Sequence, residues 1–253
     1  MKISVCMAAY NGGDHILTQV GSILKQLGPH DELIVVDDCS RDDTVAALRS
    51  LHDPRIRLVC QSVNKGVVST FNKALALATG EVVFLSDQDD LWMDHKVEAV
   101  LEIFRTKPVD VVVHDAVVME GQQVVAPSLF AMRHSGPGAL KNLVSNTCVG
   151  CCMAFRTEVL RSLLPVPVRR GVMHDSWIGI LGAAYGFRFQ FLPVPLIEFR
   201  RHGGNASTLR TRPIFRILGD RLVLVLWLAG RYLATLGGRG ARPQALRKTG
   251  SPG

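Results

Sequence analysis

The sequence predicts an α/β protein on a mostly parallel, Rossmann-like sheet with flanking helices, extended near its C-terminal end by an apolar helix framed in basic residues. Two observations predict the sheet: short apolar runs alternate with stretches of helical periodicity, and polar clusters fall directly after the runs. A third, the confinement of the net positive charge to the last fifth of the chain, predicts the extension. Ile3 to Ala8 reads as a first strand, Ile16 to Leu27 as a helix, and Glu32 to Val36 as a second strand ending at Asp37-Asp38. Ser40 is expected to cap a helix from Thr44 to Leu51; Arg55 to Cys60 is a strand, Val67 to Ala78 a helix and Glu81 to Ser86 a strand. Further on, Val109 to Val113 predicts a strand followed by His114-Asp115, Asn146 to Phe155 an apolar segment, Ile178 to Tyr185 a helix and Leu192 to Phe199 a return strand.

In such a sheet, ligands bind beyond the carboxyl ends of the strands. Ala9-Tyr10-Asn11, Asp37-Asp38 and Ser86-Asp87-Gln88-Asp89-Asp90 are therefore expected to converge on one crevice. No G-x-G-x-x-G follows the first strand and no G-x-x-x-x-G-K-[ST] occurs, which removes the dinucleotide fingerprint and the P-loop. Asp87, Asp89 and Asp90 would repel one another unless a divalent cation neutralised them, and Mg²⁺ or Mn²⁺ is suited to one or two carboxylates plus substrate phosphates. A solvated acidic turn is the alternative reading of the same residues.

Composition sets the frame. With 253 residues, 47% hydrophobic and 20% charged, the chain is neither disordered nor fibrous. No apolar run reaches the roughly 18 uncharged residues of a bilayer-spanning helix. The opening MKISVCMAAYNGG is interrupted by Asn11, Gly12, Gly13 and Asp14 before a signal-peptide core forms, so the expected location is the cytoplasm. The six cysteines are too irregularly spaced for a disulfide scaffold and are expected to be reduced; Cys148-x-x-Cys151-Cys152 has no second ligand pair for zinc and reads as buried apolar thiols.

Residues 203 to 253 hold nine Lys or Arg and one acid, net +8, whereas residues 1 to 202 hold 20 basic and 21 acidic residues, net −1. Leu222 to Ala229, LVLVLWLA, sits between Arg212, Arg216 and Arg221 on one side and Arg231, Arg239 and Arg242 on the other. Such a segment either lies peripherally at an anionic leaflet on the cytoplasmic face of the plasma membrane or packs on the core as a C-terminal helix. Only Trp227 and Tyr232 interleave with these charges, which gives no base-stacking pattern and excludes nucleic acid as the expected partner. The division expected is one domain over 1–205, with halves at about 1–110 and 111–205, a helical extension over 206–236 and a Gly-, Pro- and Arg-rich disordered tail over 237–253.

Taken in order, VCMAAYNGG, LIVVDDCSRDDT, NKGVVSTFNKALALATGEVVFLSDQDDLW and MHDSW resemble the family-2 glycosyltransferases of the GT-A fold. SDQDDLW and FRRHGGNAS are similar to the rhamnosyltransferase-like bacterial branch that decorates surface polysaccharides. The resemblance covers about residues 1 to 205. It implies an inverting, metal-dependent transfer from a nucleoside diphosphate-sugar with a pyrimidine base, dTDP-rhamnose by the branch, to a glycan or lipid-linked glycan. It implies that Ala8, Ala9 and Tyr10 line the nucleoside pocket, that Asp38 accepts from the base imide with Asp37 supporting the turn, and that Asn64 and Gly66 form the loop beside the nucleotide. By the same likeness Asp87 lies near the ribose and sugar, Asp89 holds the metal, and Asp90 is a further candidate ligand. Phe71 departs from the family's usual Arg before Asn72, and Ala8 and Ala9 from its usual Thr, Ser or Pro, which blurs the donor contacts.

Inversion needs a carboxylate to take the acceptor hydroxyl's proton. The likeness assigns that role to Asp175 in Met173-His174-Asp175-Ser176-Trp177, where an Asp before a helix otherwise serves as an N-cap. Arg200-Arg201-His202-Gly203-Gly204-Asn205 resembles the branch's closing segment and suits a diphosphate clamp through Arg201 or His202; a solvated basic turn is the alternative. Two other classes fit less well: a non-catalytic nucleotide-sugar-binding scaffold is disfavoured by intact Asp87, Asp89 and Asp175, and a sugar nucleotidyltransferase by the missing Gly-rich, Arg-containing opening.

Overall fold

The computed structural model describes residues 1–138, 141–142, 147–169, 171–201 and 214–236, with side chains in the last stretch at 219, 220 and 222–234. His202, Asn205 and the tail over 237–253 lie outside the described residues. β1 (Ile3–Ala9), β2 (Glu32–Asp37), β3 (Ile56–Cys60) and β4 (Val82–Ser86) pair in parallel in the order β3-β2-β1-β4. α1 (Ile16–Leu24), α2 (Thr44–Ser50) and α3 (Val67–Leu77) make the crossovers. β1, β2 and β4 are covered on both faces and are nearly continuous apolar runs; edge strand β3 alternates instead. The chain proceeds from β1 to one side and returns as β4 on the other, so the crevice opens where β1 and β4 end.

The sheet then continues into the second half of the chain. β5 (Leu91–Trp92), α4 (Lys96–Thr106), β6 (Val111–Glu120), β7 (Gln123–Ala126) and α5 (Leu129–Arg133) are followed by a 3₁₀ turn at Gly150–Cys152. After it come β8 (Met153–Arg156), α6 (Thr157–Leu163), α7 (His174–Ala184), β9 (Phe189–Arg201) and α8 (Ile214–Leu236). β8 lies antiparallel between β4 and β6, and β9 runs parallel to β6 and antiparallel to β5. One nine-stranded sheet therefore crosses the expected half-boundary near residue 110.

Two expectations are corrected. Ser40 caps no helix: Asp43 occupies the N-cap of α2, and the Ser40 hydroxyl accepts from the Asn11 amide at 2.9 Å. That bond belongs to a seam between the loops after β1 and β2, in which Gly12 N–H donates to Thr44 Oγ1, Gly13 N–H to Asp42 and Arg41 N–H to Asn11. The strand expected to stop at Val113 runs on to Glu120 because buried Asp115 is satisfied locally, while His114 bonds the Asp115 carbonyl through Nδ1 and leaves its buried Nε2 without a partner. Asp115 accepts from Ala116 N–H, Phe130 N–H and the Ser128 hydroxyl, and the β6–β9 register shifts at this point, which absorbs the polar pair as a bulge.

Candidate active site

The crevice is closed at one end by a two-point clamp. Tyr10 N–H donates to Gln88 Oε1 at 2.8 Å, and Gln88 Nε2 donates to the Tyr10 carbonyl at 3.0 Å, which ties the end of β1 to the acidic loop after β4. Gly12 leaves room for it: a Cβ there would stand 2.5 Å from Gln88 Oε1. Ala8 is half-buried, Ala9 is buried and the Tyr10 ring is exposed, so the residues expected to line a nucleoside pocket form a ledge at the strand end. Buried Gln19 supports the loop from behind through Ser86 Oγ and the Asp87 carbonyl.

Asp37 and Asp38 follow on the adjacent strand. Asp38 is buried, and its carboxylate accepts from Lys65 N–H, Gly66 N–H and Gln61 Nε2, each at 2.8 Å. It holds the loop of Asn64 and Gly66 in place; Gly66 has φ +82°, a conformation that strains other residues, and Asn64 is exposed. Asp37 Oδ2 accepts from Ser40 N–H, while its buried Oδ1 has no protein partner.

The acidic loop has an inner and an outer side. Asp90 is buried; Oδ1 accepts from Arg200 N–H at 3.2 Å and Oδ2 has no partner. Oxygens of Asp87 and Asp90 and the Cys151 sulfur lie within 4.8 Å of one another. Burial, then the Asp90, Asp89 and Asp175 charges, pushes Asp87 well above the carboxylate range, although its residue keeps some exposure. Burial and Asp89 push Asp90 up to about 7, against the opposing pull of Cys151, Arg200 N–H and Lys96. The Lys96 ammonium is fully buried beneath this group, 4.0 Å from the centre of the Trp92 ring, and donates to the Cys151 carbonyl at 3.0 Å. Burial lowers its pKa to about 8.

Asp175 approaches the loop from α7. The helix begins at His174, four residues before the predicted Ile178, so Asp175 sits in its first turn and is not its cap. Its carboxylate accepts from Ser176 N–H at 2.6 Å, and its charge is felt at Asp87. His174 is buried and stacks on Phe71 at 4.0 Å between ring centres; burial lowers its pKa and neither ring nitrogen has a partner. Phe71, where the family's Arg is expected, is thus a packing residue beneath the Asp175 turn. Arg201 ends β9 one residue beyond the Arg200 amide that reaches Asp90.

A family model described as glycosyl transferase family 2 matches residues 4–164. The chain belongs to that family. A Bacillus subtilis (strain 168) protein named for teichuronic acid biosynthesis is 42% identical over 214 residues, which is 81% of each chain. An uncharacterized glycosyltransferase of Nostoc is 30% identical over 215 residues; the match takes in 81% of this chain and 66%, just under two thirds, of the relative. The GT-A fold is shared with the Staphylococcus aureus protein TarS 1–349 in complex with UDP-GlcNAc, at a TM-score of 0.70 and 20% identity over 89% of this chain and 67% of that one.

The family-2 fold thus gathers Ala8, Ala9, Tyr10, Asp37, Asp38, Gly66, Asp87, Asp89 and Asp175 around one crevice. The sequence did not reveal Gln88 as a clamp, Lys96 as an internal cation or Cys151 as a thiol against two carboxyls. Lys96 lies on a helix whose charged residues ordinarily face water, and Cys151, far away in sequence, is brought to the loop by the β4–β8 pairing. The one available signal was the crowding of three aspartates, which calls for a compensating cation somewhere in the fold.

Proposed function

We propose that this family-2 chain is an inverting glycosyltransferase that moves a sugar from a pyrimidine nucleoside diphosphate-sugar to a glycan or lipid-linked glycan in surface polysaccharide synthesis. The observation that carries the reading is the meeting of Asp175 with the Asp87–Asp90 loop: an acceptor-side carboxylate and a donor-side acidic cluster face one crevice. The donor class is supported by the likeness to a fold neighbour that binds UDP-GlcNAc, and dTDP-rhamnose is the sugar nucleotide the branch motifs favour. The polysaccharide setting is supported by the relative named for teichuronic acid biosynthesis.

The residues fit a divalent cation such as Mg²⁺ or Mn²⁺: the Asp87 and Asp90 carboxyls crowd together, and the repulsion among them and Asp89 that raises both calls for a compensating charge. Asp90 faces Lys96 and the protein interior, so the outer carboxylates, Asp89 with Asp87, are those that would hold an ion in contact with a diphosphate. When bound, the ion supplies charge neutralisation for the departing nucleoside diphosphate. Tyr10, Ala8 and Ala9 would support the base; Asp37, with a buried oxygen unpaired, and Asp38 are the acceptors at that end. Asp175 would take the acceptor hydroxyl's proton as the oxygen attacks the anomeric carbon from the face opposite the leaving group. Arg201 would contact the diphosphate from the end of β9, with His202 as the next residue of the same clamp.

The test is a transfer and thermal-shift panel of dTDP-, UDP- and GDP-sugars with and without Mn²⁺, on wild type and Asp89→Ala. A ligand bound only by the folded state raises the melting point. A metal-dependent shift and sugar transfer with one pyrimidine donor, both lost in Asp89→Ala, are expected. A folded wild type that responds to no nucleotide would overturn the reading in favour of a scaffold subunit.

A further inference from the structure

Between Leu222 and Ala234 the exposed side of α8 is apolar. Leu222, Leu226 and Leu233 are 60%, 62% and 65% exposed, and their spacing of four and seven residues puts them on one line of the helix. Val225, Ala229, Gly230 and Ala234 are exposed beside them. The opposite side is anchored: Leu224 and Leu228 are buried, Tyr232 lies 6.0 Å from the Tyr185 ring, and Arg231 donates to the Leu164 carbonyl at 3.2 Å. The apolar line is therefore held outward on a fixed support.

Beside it, a groove of about 650 Å³ runs between α8 and the loop after α6, lined by Pro165, Pro167, Val168, Trp177, Leu226 and Trp227, with Arg169 and Arg231 at its edges. The Arg169 guanidinium stands 5.7 Å from the centre of the Trp227 ring, and Val168 and Trp227 are half exposed. The loop is fixed to the donor half by Asn72, which donates to the Val166 carbonyl and accepts from its amide.

We propose that α8 and the 165–169 loop form one face that docks flat on an anionic lipid leaflet, with the leucine line in the acyl boundary and the arginines at the headgroups. Leu222 to Leu233 spans about 16 Å at about 1.5 Å per residue, which suits lying in the interface. No helix among the described residues is long and apolar enough to cross a membrane. The charge selects the partner: residues 203–253 carry net +8, and Arg169 adds a cation to the groove edge from outside that stretch. A second copy of the chain seated on this face would bring four like charges, Arg169 and Arg231 of each copy, into one interface. Asp175 and Trp177 lie on opposite sides of the first turns of α7, so the docking groove and the crevice are separated by about one helix diameter, about 10 Å. The inference stands apart from the transfer chemistry.

The experiment sediments the full chain with vesicles of phosphatidylcholine alone and with one third phosphatidylglycerol. Wild type is expected to pellet with the anionic vesicles and to be released by salt. Arg169→Ala should lower the partition constant about fivefold, and the triple variant Leu222→Glu, Leu226→Glu, Leu233→Glu about a hundredfold or more. Both should keep the wild-type circular dichroism melt and the wild-type rate of nucleotide release from a soluble donor, so loss of docking is separated from loss of fold or chemistry. Pelleting of the triple variant at the wild-type level, or absence of wild-type pelleting with anionic vesicles, would overturn the proposal. So would a wild-type dimer that the triple substitution makes monomeric with lipid partition unchanged, which would assign the face to a second copy.

Discussion

Replacing Lys96 with methionine should separate stability from activity. The amine's pKa falls from 10.5 to about 8, a gap of about 2.5, which makes the charged form about 3 kcal/mol less favourable in the fold than in the unfolded chain. Between those values the unfolded state keeps a proton that the native state has released, so Lys96 makes wild-type stability rise with pH from about 8 to 10.5. Methionine removes both the rise and the cost of the buried charge, but leaves the Cys151 carbonyl without its donor, at about 1 to 3 kcal/mol. These contributions oppose each other, and at pH 7 the variant is expected within about 2 kcal/mol of wild type. Asp90, already near 7, loses a cation that lowers it and should rise further, which favours its protonated form at neutral pH. Mn²⁺ affinity at the loop should then fall about tenfold and transfer with it. Urea melts of both proteins at pH 7 and 10, with chelator, test the first part, and Mn²⁺-dependent melting shifts the second. Parallel pH profiles for wild type and variant would refute the buried-charge argument, and an unchanged Mn²⁺ response would refute the link to the loop.

Asp175→Asn should lower the transfer rate about 10² to 10⁴-fold with donor KM and melting temperature retained, and a loss below tenfold in a steady-state assay would place the base elsewhere. Asp38→Ala removes the acceptor of three donors and should cost about 2 to 4 kcal/mol in urea melts while abolishing the nucleotide-induced melting shift. Gly66→Ala forces a side chain into positive φ; a loss of about 1 kcal/mol with a raised donor KM is expected in the same assays. In the metal-free protein, Asp90 with a native pKa of about 7 keeps a proton the unfolded chain loses near 3.8. Its contribution therefore makes stability decline as pH rises from about 4 to 7, and Asp90→Asn should flatten that decline in urea midpoints at pH 5 and 7.5.

The parallel half was legible because each of its strands is a local pattern: an apolar run ending in polar residues needs no distant partner to be seen. The outward features of the crevice were legible for the same reason, since Asp37-Asp38 and the Asp87–Asp90 loop sit next to their strands in sequence. The misread parts depend on tertiary compensation. His114 and Asp115 look like a strand end until Ser128 and Phe130 are folded against them, and Ser40 looks like a cap until the Asn11 amide claims its oxygen. Lys96 was invisible because nothing local marks a lysine whose counter-charges arrive from a neighbouring loop and whose acceptor arrives from residue 151.

The bond from Arg200 N–H to Asp90, with the pairing of Leu91 and Trp92 to Glu198 and Ile197, fixes when the crevice can exist during synthesis. The acidic loop leaves the ribosome long before the strand that finishes it, so a nascent chain stalled ahead of Arg200 carries the ends of β1 and β2 beside an open acidic turn. The same stitch limits recombination. A hybrid joined near residue 110 takes the loop from one parent and its last amide from the other, and its second half is exchangeable only when the first parent's backbone path over 197–200 is kept.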